Sequence, residues 1–299
     1  MSRIDEALRR GTSGRGASDR PSARGDAALD DYPQEGRSRP SETQPIESRR
    51  PRLEVAVRPA FGAEASRIPD DPESRAKLVT GCDAPSVLVE QFRRLGASLH
   101  DLQPEDGRSM SLLVTSALPR EGKTFTAINL ALTMSESYER RVLLIDADLR
   151  RPTVHTALRI GNTAGLVDVL RSQRQDLPVE RVTSRLSVLT AGRPQTDPMA
   201  ALSSDRLPGL IDDVRRTYDW VILDAAPAGI LPDAALLARL TAATLLVVRA
   251  GSTPYAMVQR ALAELGKERV IGTILNGIVE HAIPATDYYH SYYASDSGR

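Results

Sequence analysis

The chain has 299 residues, enough for two ordinary domains or for one large domain with an extended appendage at roughly 150 residues per domain. Its 39 basic and 39 acidic side chains cancel, so no global field draws it to nucleic acid or to an anionic membrane. One cysteine, Cys82, excludes an intrachain disulfide framework and any multi-cysteine metal or iron–sulfur site, and a reducing, cytoplasmic compartment is the default expectation.

Residues 1–10, MSRIDEALRR, lack the apolar core of a signal peptide. They place Ile4, Ala7 and Leu8 at helical spacing, with Asp5 and Glu6 early and Arg9 and Arg10 late, the order a helix dipole favours. This reads as a short docking helix or as a solvated start, since an isolated helix of this length is marginal. Residues 11–76 have linker composition: the first 75 residues hold 8 Pro, 6 Gly and 9 Ser, and their 14 arginines are matched by 14 acids. So few large apolar side chains cannot bury a core that offsets the ordering entropy, and disorder is expected. The same arginines lack interleaved aromatics, which argues against a nucleic-acid partner.

From residue 77 to 283 the texture alternates between helical and strand-like segments. A helix is expected over Pro85 to Leu102, then strands at 111–116 and 142–145, with a glycine turn and a helix between them. Short helices follow at 153–158 and 166–172, a strand at 186–191, and one helix over 199–216. Strands at 220–223, 243–248 and 271–276 alternate with helices at 233–240 and 255–265. Short, continuous apolar strands separated by helices predict an α/β fold, a doubly wound and mostly parallel sheet covered on both faces. The most apolar stretch, Ala228 to Val248, is interrupted by Pro232, Asp233 and Arg239 and fails as a membrane span.

Three segments carry chemistry. SALPREGKTF, from Ser116, is a strand, a turn and a helix start with the spacing A-x-x-x-x-G-K-T, which departs from the phosphate-cradling P-loop pattern only at Ala117. Candidate ATP contacts are therefore Ala117, Pro119, Glu121, Gly122, Lys123, Thr124 and Phe125, with Lys123 neutralising phosphate charge and the Thr124 hydroxyl ligating Mg2+. Lysine occurs only at positions 77, 123 and 267, so one placed in a glycine turn stands out. VLLIDADLRRP sets Asp146 and Asp148 two apart at a strand end, where open α/β sheets bind ligands, suited to hold magnesium through water or to take a proton. YDWVILDAAPA ends a strand in Asp224, a further candidate metal-site acid.

These segments resemble the deviant Walker motifs of the bacterial tyrosine kinase (BY-kinase) family, within the larger MinD/ParA-like group of P-loop ATPases. The resemblance runs from about Pro85 to the C-terminus and includes GLVDVL, LSVLTAGRPQTDP and LLVVRAGST. It implies that Lys123, Asp146 and Asp148 are catalytic, one of the two acids serving as base. It also implies that Thr124, Asp146, Asp148 and Asp224 form the metal site and that Asn276 faces the adenine. Four of the eight tyrosines, Tyr288, Tyr289, Tyr292 and Tyr293, lie in the tail at 284–299, and the family autophosphorylates such a cluster on a neighbouring subunit of a ring. Its ring motif E-x-x-R-x-x-R matches here at Glu90 and Arg93 but has Gly96 in the last place; the pair also reads as a surface i,i+3 contact. The resemblance further implies a role in exopolysaccharide synthesis and export. The activating partner would be a membrane-embedded chain-length regulator, and the cytoplasmic chain would be recruited to the inner face of the membrane. The rivals are a MinD/ParA-like positioning ATPase, disfavoured by Leu118 where such proteins carry a second lysine, and a nucleotide-binding scaffold without transfer activity.

Overall fold

The protein is described as a computed structural model that covers residues 57–58, 78–79, 86–103, 108–171, 176–194 and 197–278. The expected docking helix at 1–10, the tail at 284–299 with its four tyrosines, and most of the expected linker at 11–76 lie outside the described residues.

Among the described residues eight strands form one sheet: β1 (Val57–Arg58), β2 (Met110–Ser116), β3 (Val142–Asp146), β4 (Val179–Arg181), β5 (Leu186–Leu189), β6 (Trp220–Asp224), β7 (Ala243–Arg249) and β8 (Val270–Asn276). Their order is β1-β4-β5-β3-β6-β2-β7-β8. All neighbours are parallel except β4 and β5. The helices are α1 (Ser86–His100), α2 (Lys123–Glu136), α3 (Val154–Leu158), α4 (Leu166–Arg171), α5 (Pro198–Leu202), α6 (Arg206–Arg215), α7 (Asp233–Ala238) and α8 (Tyr255–Leu265).

Strand alternation explains the double winding. Leu113, Leu143, Ile145, Val221, Leu223 and Leu246 face one core, which α4, α5, α6, α7 and α8 close. Their chain neighbours Leu112, Val114, Val142, Leu144, Ile222 and Val247 face the other, closed by α1, α2 and α3. Successive strand side chains point to opposite faces, so both faces can be covered only if nearly every central residue is apolar. α2 runs deepest, with every residue from Thr126 to Ser135 buried.

The structure departs from the sequence expectation in three places. The single helix expected over 199–216 is two, α5 and α6, separated at Ser203–Asp205, where the Ser204 hydroxyl accepts the Arg206 N–H at 3.3 Å. Local side-chain-to-backbone hydrogen bonds of this kind compete with helix continuation. β4, three residues long, pairs antiparallel with β5. Inside the expected linker, Val57–Arg58 forms a two-residue edge strand beside β4.

The strand order places the chemistry. β6 lies between β3 and β2, in the register Asp146↔Asp224 and Val114↔Asp224. The carboxyl ends of β2, β3 and β6 therefore meet at one edge, and the crossovers leaving them open a crevice there. At the opposite edge, Arg141 and Asp219 tie the starts of β3 and β6: the Arg141 N–H and Nη2 donate to the Asp219 carboxylate at 2.8 and 2.7 Å. Burial alone would raise the pKa of Asp219, but the hydrogen bonds from Arg141 outweigh it and hold the carboxyl below its ordinary value. A lowered carboxylate pKa contributes stability that is present above the unfolded value, near 3.9, and lost as pH falls through the folded one. Asp219→Asn is expected to cost about 1 kcal/mol at pH 7 after solvent screening, with the difference from wild type closing below about pH 3 in urea titrations. An equal difference at both pH values would contradict this origin.

Candidate active site

The phosphate loop follows directly from β2. Residues 117–122 turn back over the strand end and α2 begins at Lys123, which aims the first N–H groups of a long helix at the crevice. Gly122 has φ 94, and a Cβ there would run into the Asn276 amide. This is a position only glycine fills. Ala117, which replaces the motif's usual glycine, keeps a φ that any residue adopts, and its methyl is fully buried in the core. The substitution therefore costs the loop no strain.

Two distant segments hold the loop from behind. The Glu121 carboxylate is buried and accepts hydrogen bonds from the Leu118 N–H at 2.7 Å and from the Thr253 hydroxyl. Asn276, at the end of β8, donates its Nδ2 to the Glu121 carbonyl at 2.9 Å. In this arrangement Asn276 buttresses the loop. Asn276 also lines a groove of about 680 Å³ that takes in Phe125, Thr126, Phe92 and Ile274.

In front of the loop the expected residues converge. Lys123 Nζ lies 2.8 Å from Asp148 Oδ2 and 3.4 Å from Asp224 Oδ1. The Thr124 hydroxyl donates to Asp224 Oδ2 at 2.5 Å and sits 3.1 Å from the Thr153 hydroxyl. Asp146 lies behind them, wholly buried, and accepts the N–H groups of Asp148, Thr153 and Val154 at 3.3, 3.1 and 3.1 Å. It thereby fixes the start of α3. A cleft of about 670 Å³ opens over this cluster, lined by Pro119, Gly122, Lys123, Thr124, Asp148 and Leu231 among others.

Glu90 and Arg93 stand away from this cluster on α1. Glu90 pairs with Arg94 at 3.3 Å, one helical turn on, while the Arg93 carbonyl accepts the Tyr138 hydroxyl at 2.7 Å. The Tyr138 ring covers Gly96, where a Cβ would come within 2.6 Å of Cε2. An arginine at this place of the motif would require the Tyr138 ring to move. The reading of the sequence missed Arg150, whose guanidinium grips the buried Asp233, and Thr153 and Thr253, which are unremarkable as sequence.

No family model matches the chain. The tyrosine-protein kinase YwqD of Bacillus subtilis (strain 168) is 36% identical over 196 residues, which are 64% of this chain and 82% of that protein. The chain belongs to the bacterial tyrosine-protein kinases. The tyrosine-protein kinase wzc of Salmonella typhimurium (strain LT2) is 31% identical over 229 residues, 75% of this chain but 32% of that much longer protein. Among solved structures, the kinase domain of the Escherichia coli tyrosine kinase ETK superposes with a TM-score of 0.60 at 32% identity, covering 66% of this chain and 78% of that one.

Charge governs this kinase site. Burial and the neighbouring Asp224 push the Asp146 carboxyl up to about 8, against the pull of the Val154 N–H and Lys123. Asp224 is raised as well, chiefly by burial, with Lys123 opposing. For Lys123 burial works against the charge, but Asp224 and Asp148 outweigh it and hold the ammonium above its ordinary value. A carboxyl raised in the native state keeps its proton where the unfolded chain has lost it, so native stability falls as pH climbs from about 4 toward 8. Urea unfolding of the metal-free, nucleotide-free protein at pH 5 and pH 8 is expected to display that loss, and Asp146→Asn to flatten it. Identical slopes for the two proteins would contradict the placement of Asp146.

Proposed function

We propose that the chain transfers the γ-phosphoryl group of ATP to tyrosine hydroxyls, with Tyr288, Tyr289, Tyr292 and Tyr293 of a neighbouring copy as acceptors. The observation that carries this reading is the meeting of Lys123, Thr124, Asp148 and Asp224 at the N-terminus of α2 under an open cleft. Phosphate oxygens arriving on the loop N–H groups exchange for the carboxylates as partners of Lys123. That exchange frees Asp148, which faces the cleft.

The hydroxyl of Thr124 and the carboxylates of Asp148 and Asp224 are hard oxygen donors of the kind Mg2+ takes. Among the described residues no three His, Cys, Asp or Glu side chains are gathered to hold a metal by themselves, so phosphate oxygens and water would complete its shell. Bound there, the ion would neutralise charge on the β- and γ-phosphates.

Two carboxylates divide the requirements of the base. Asp148 has the position, at the cleft wall; Asp146 has the proton affinity, with a pKa near the working pH. A pH–rate profile separates them. The variant of the true base, Asp146→Asn or Asp148→Asn, is expected to lose about 100-fold in kcat together with the low-pH limb, whereas the other lowers the rate at all pH values without changing the profile. Retention of the wild-type profile in both variants would remove both from the role of base.

By the same reading, copies assemble through the α1 face carrying Glu90 and Arg93, and a membrane-embedded regulator of polysaccharide chain length activates them at the inner face of the membrane. Among the described residues no helix is long and apolar enough to cross a membrane. Control of exopolysaccharide synthesis and export is the process this serves. The chain spans 82% of YwqD but only about a third of the wzc protein, so these wider roles go beyond the shared domain.

The test is phosphotyrosine incorporation by purified protein with magnesium and ATP, beside Lys123→Met and a variant with the four tail tyrosines changed to Phe. Labelling that falls at least about 100-fold in Lys123→Met and is abolished in the Phe variant is the expected result. ATP hydrolysis without labelling would instead favour a MinD/ParA-like switch, and nucleotide binding with neither activity a scaffold.

A further inference from the structure

We propose that Arg150 and Asp233 form a clamp that keeps Asp148 in place during phosphoryl transfer; this rests on the kinase reading of the same site. Arg150 Nε and Nη2 donate to the two carboxylate oxygens of Asp233 at 2.6 and 3.0 Å, a bidentate pair. Asp233 is the first residue of α7 and is 1% exposed, while the Arg150 side chain is 34% exposed. The pair therefore joins two walls of the cleft. One is the loop after β3, which carries Asp148, and the other is the loop after β6, which carries Pro227, Ile230 and Leu231.

The need for such a tie follows from the ion pair that substrate disrupts. Before nucleotide binds, Asp148 is held by Lys123 at 2.8 Å and by the Arg151 N–H, which donates to Oδ1 at 3.0 Å. When phosphate takes Lys123, only the backbone of its own loop still holds Asp148. That loop is short and rises into the cleft from the end of β3, and Arg150, two residues on, is where a side chain anchors it to a separate helix. The guanidinium is committed to Asp233 by two hydrogen bonds, so Arg150 acts through Asp148 and is a positioning residue. Lysine offers no fork of matching geometry and cannot replace it.

The experiment measures kcat for phosphotyrosine formation, KM for MgATP, affinity for a fluorescent ADP analogue and melting temperature in the full chain. The variants are Asp233→Asn, Arg150→Ala, Arg150→Lys and the double variant Arg150→Ala/Asp233→Asn. Asp233→Asn is nearly isosteric and leaves Arg150 free to turn to solvent. The expectation is a fall of about 30-fold in kcat for Asp233→Asn and for Arg150→Ala, with KM and ADP affinity within about twofold of wild type. The double variant should be no slower than the slower single one, because the two residues act as one unit. If Asp233→Asn does not fold, Arg150→Lys carries the same expectation.

A kcat within about twofold of wild type in Asp233→Asn, while Arg150→Ala is slow, would overturn the clamp and make Arg150 a direct phosphate contact. A lowered melting temperature with unchanged kcat would reduce the pair to a structural role and overturn it too. Should wild type hydrolyse ATP without labelling tyrosine, the kinase reading fails, and the same variants are then scored on hydrolysis with the same expectation. A wild type that turns over no ATP overturns both.

Discussion

One ammonium group stands among three carboxylates at the carboxyl edge of the sheet, and the architecture of the site is arranged around that imbalance. Asp146 and Asp224 are fully buried and Asp148 nearly so, yet Lys123 supplies the positive charge they face. Taking charges from water into a protein interior is costly unless they are paired. Part of the imbalance is relieved by a proton, which Asp146 retains up to about pH 8. The rest is relieved by Lys123 and by the N–H groups that Asp146 and Asp148 accept. A nucleotide phosphate brings more negative charge to this point, and the helix N-terminus and a divalent cation are the counterweights.

Strand order makes the convergence possible. Because β6 inserts between β3 and β2, acids far apart in sequence end their strands side by side, in register, next to the loop that carries Lys123. The loop in turn is not self-supporting. Glu121 ties it to Thr253 and Asn276, so the last two strands of the sheet fix the geometry of a phosphate site that begins on β2. Gly122 belongs to this packing as much as to the backbone, since any side chain there would displace Asn276.

Much of this was legible in the sequence. Gly122, Lys123 and Thr124 between a strand and a helix, and the acids closing VLLID and WVILD, are local patterns whose meaning depends only on neighbours in the chain. The double winding was legible for a similar reason, because strands buried on both faces must be continuously apolar. What escaped was set by tertiary contact. Arg150 and Asp233 meet across 83 positions, and neither carries a spacing that announces the other. The contact of the Asn276 amide with the loop carbonyl is likewise fixed by the position of β8 at the sheet edge. β4 has three residues, too few for any periodicity, and at the break between α5 and α6 a serine hydroxyl accepts a backbone N–H. Gly96 was a departure from a motif in the sequence, and that the Tyr138 ring packs over it was visible only in the fold.

The central claim is that Lys123 is the charge that holds the acids together before substrate arrives. Urea unfolding of nucleotide-free Lys123→Met against wild type, at pH 5 and pH 8, tests it most directly. The account predicts a loss of about 3 kcal/mol at pH 8 that shrinks at pH 5, where protonated Asp146 no longer needs the cation. Equal stability of the two proteins at pH 8 would contradict it.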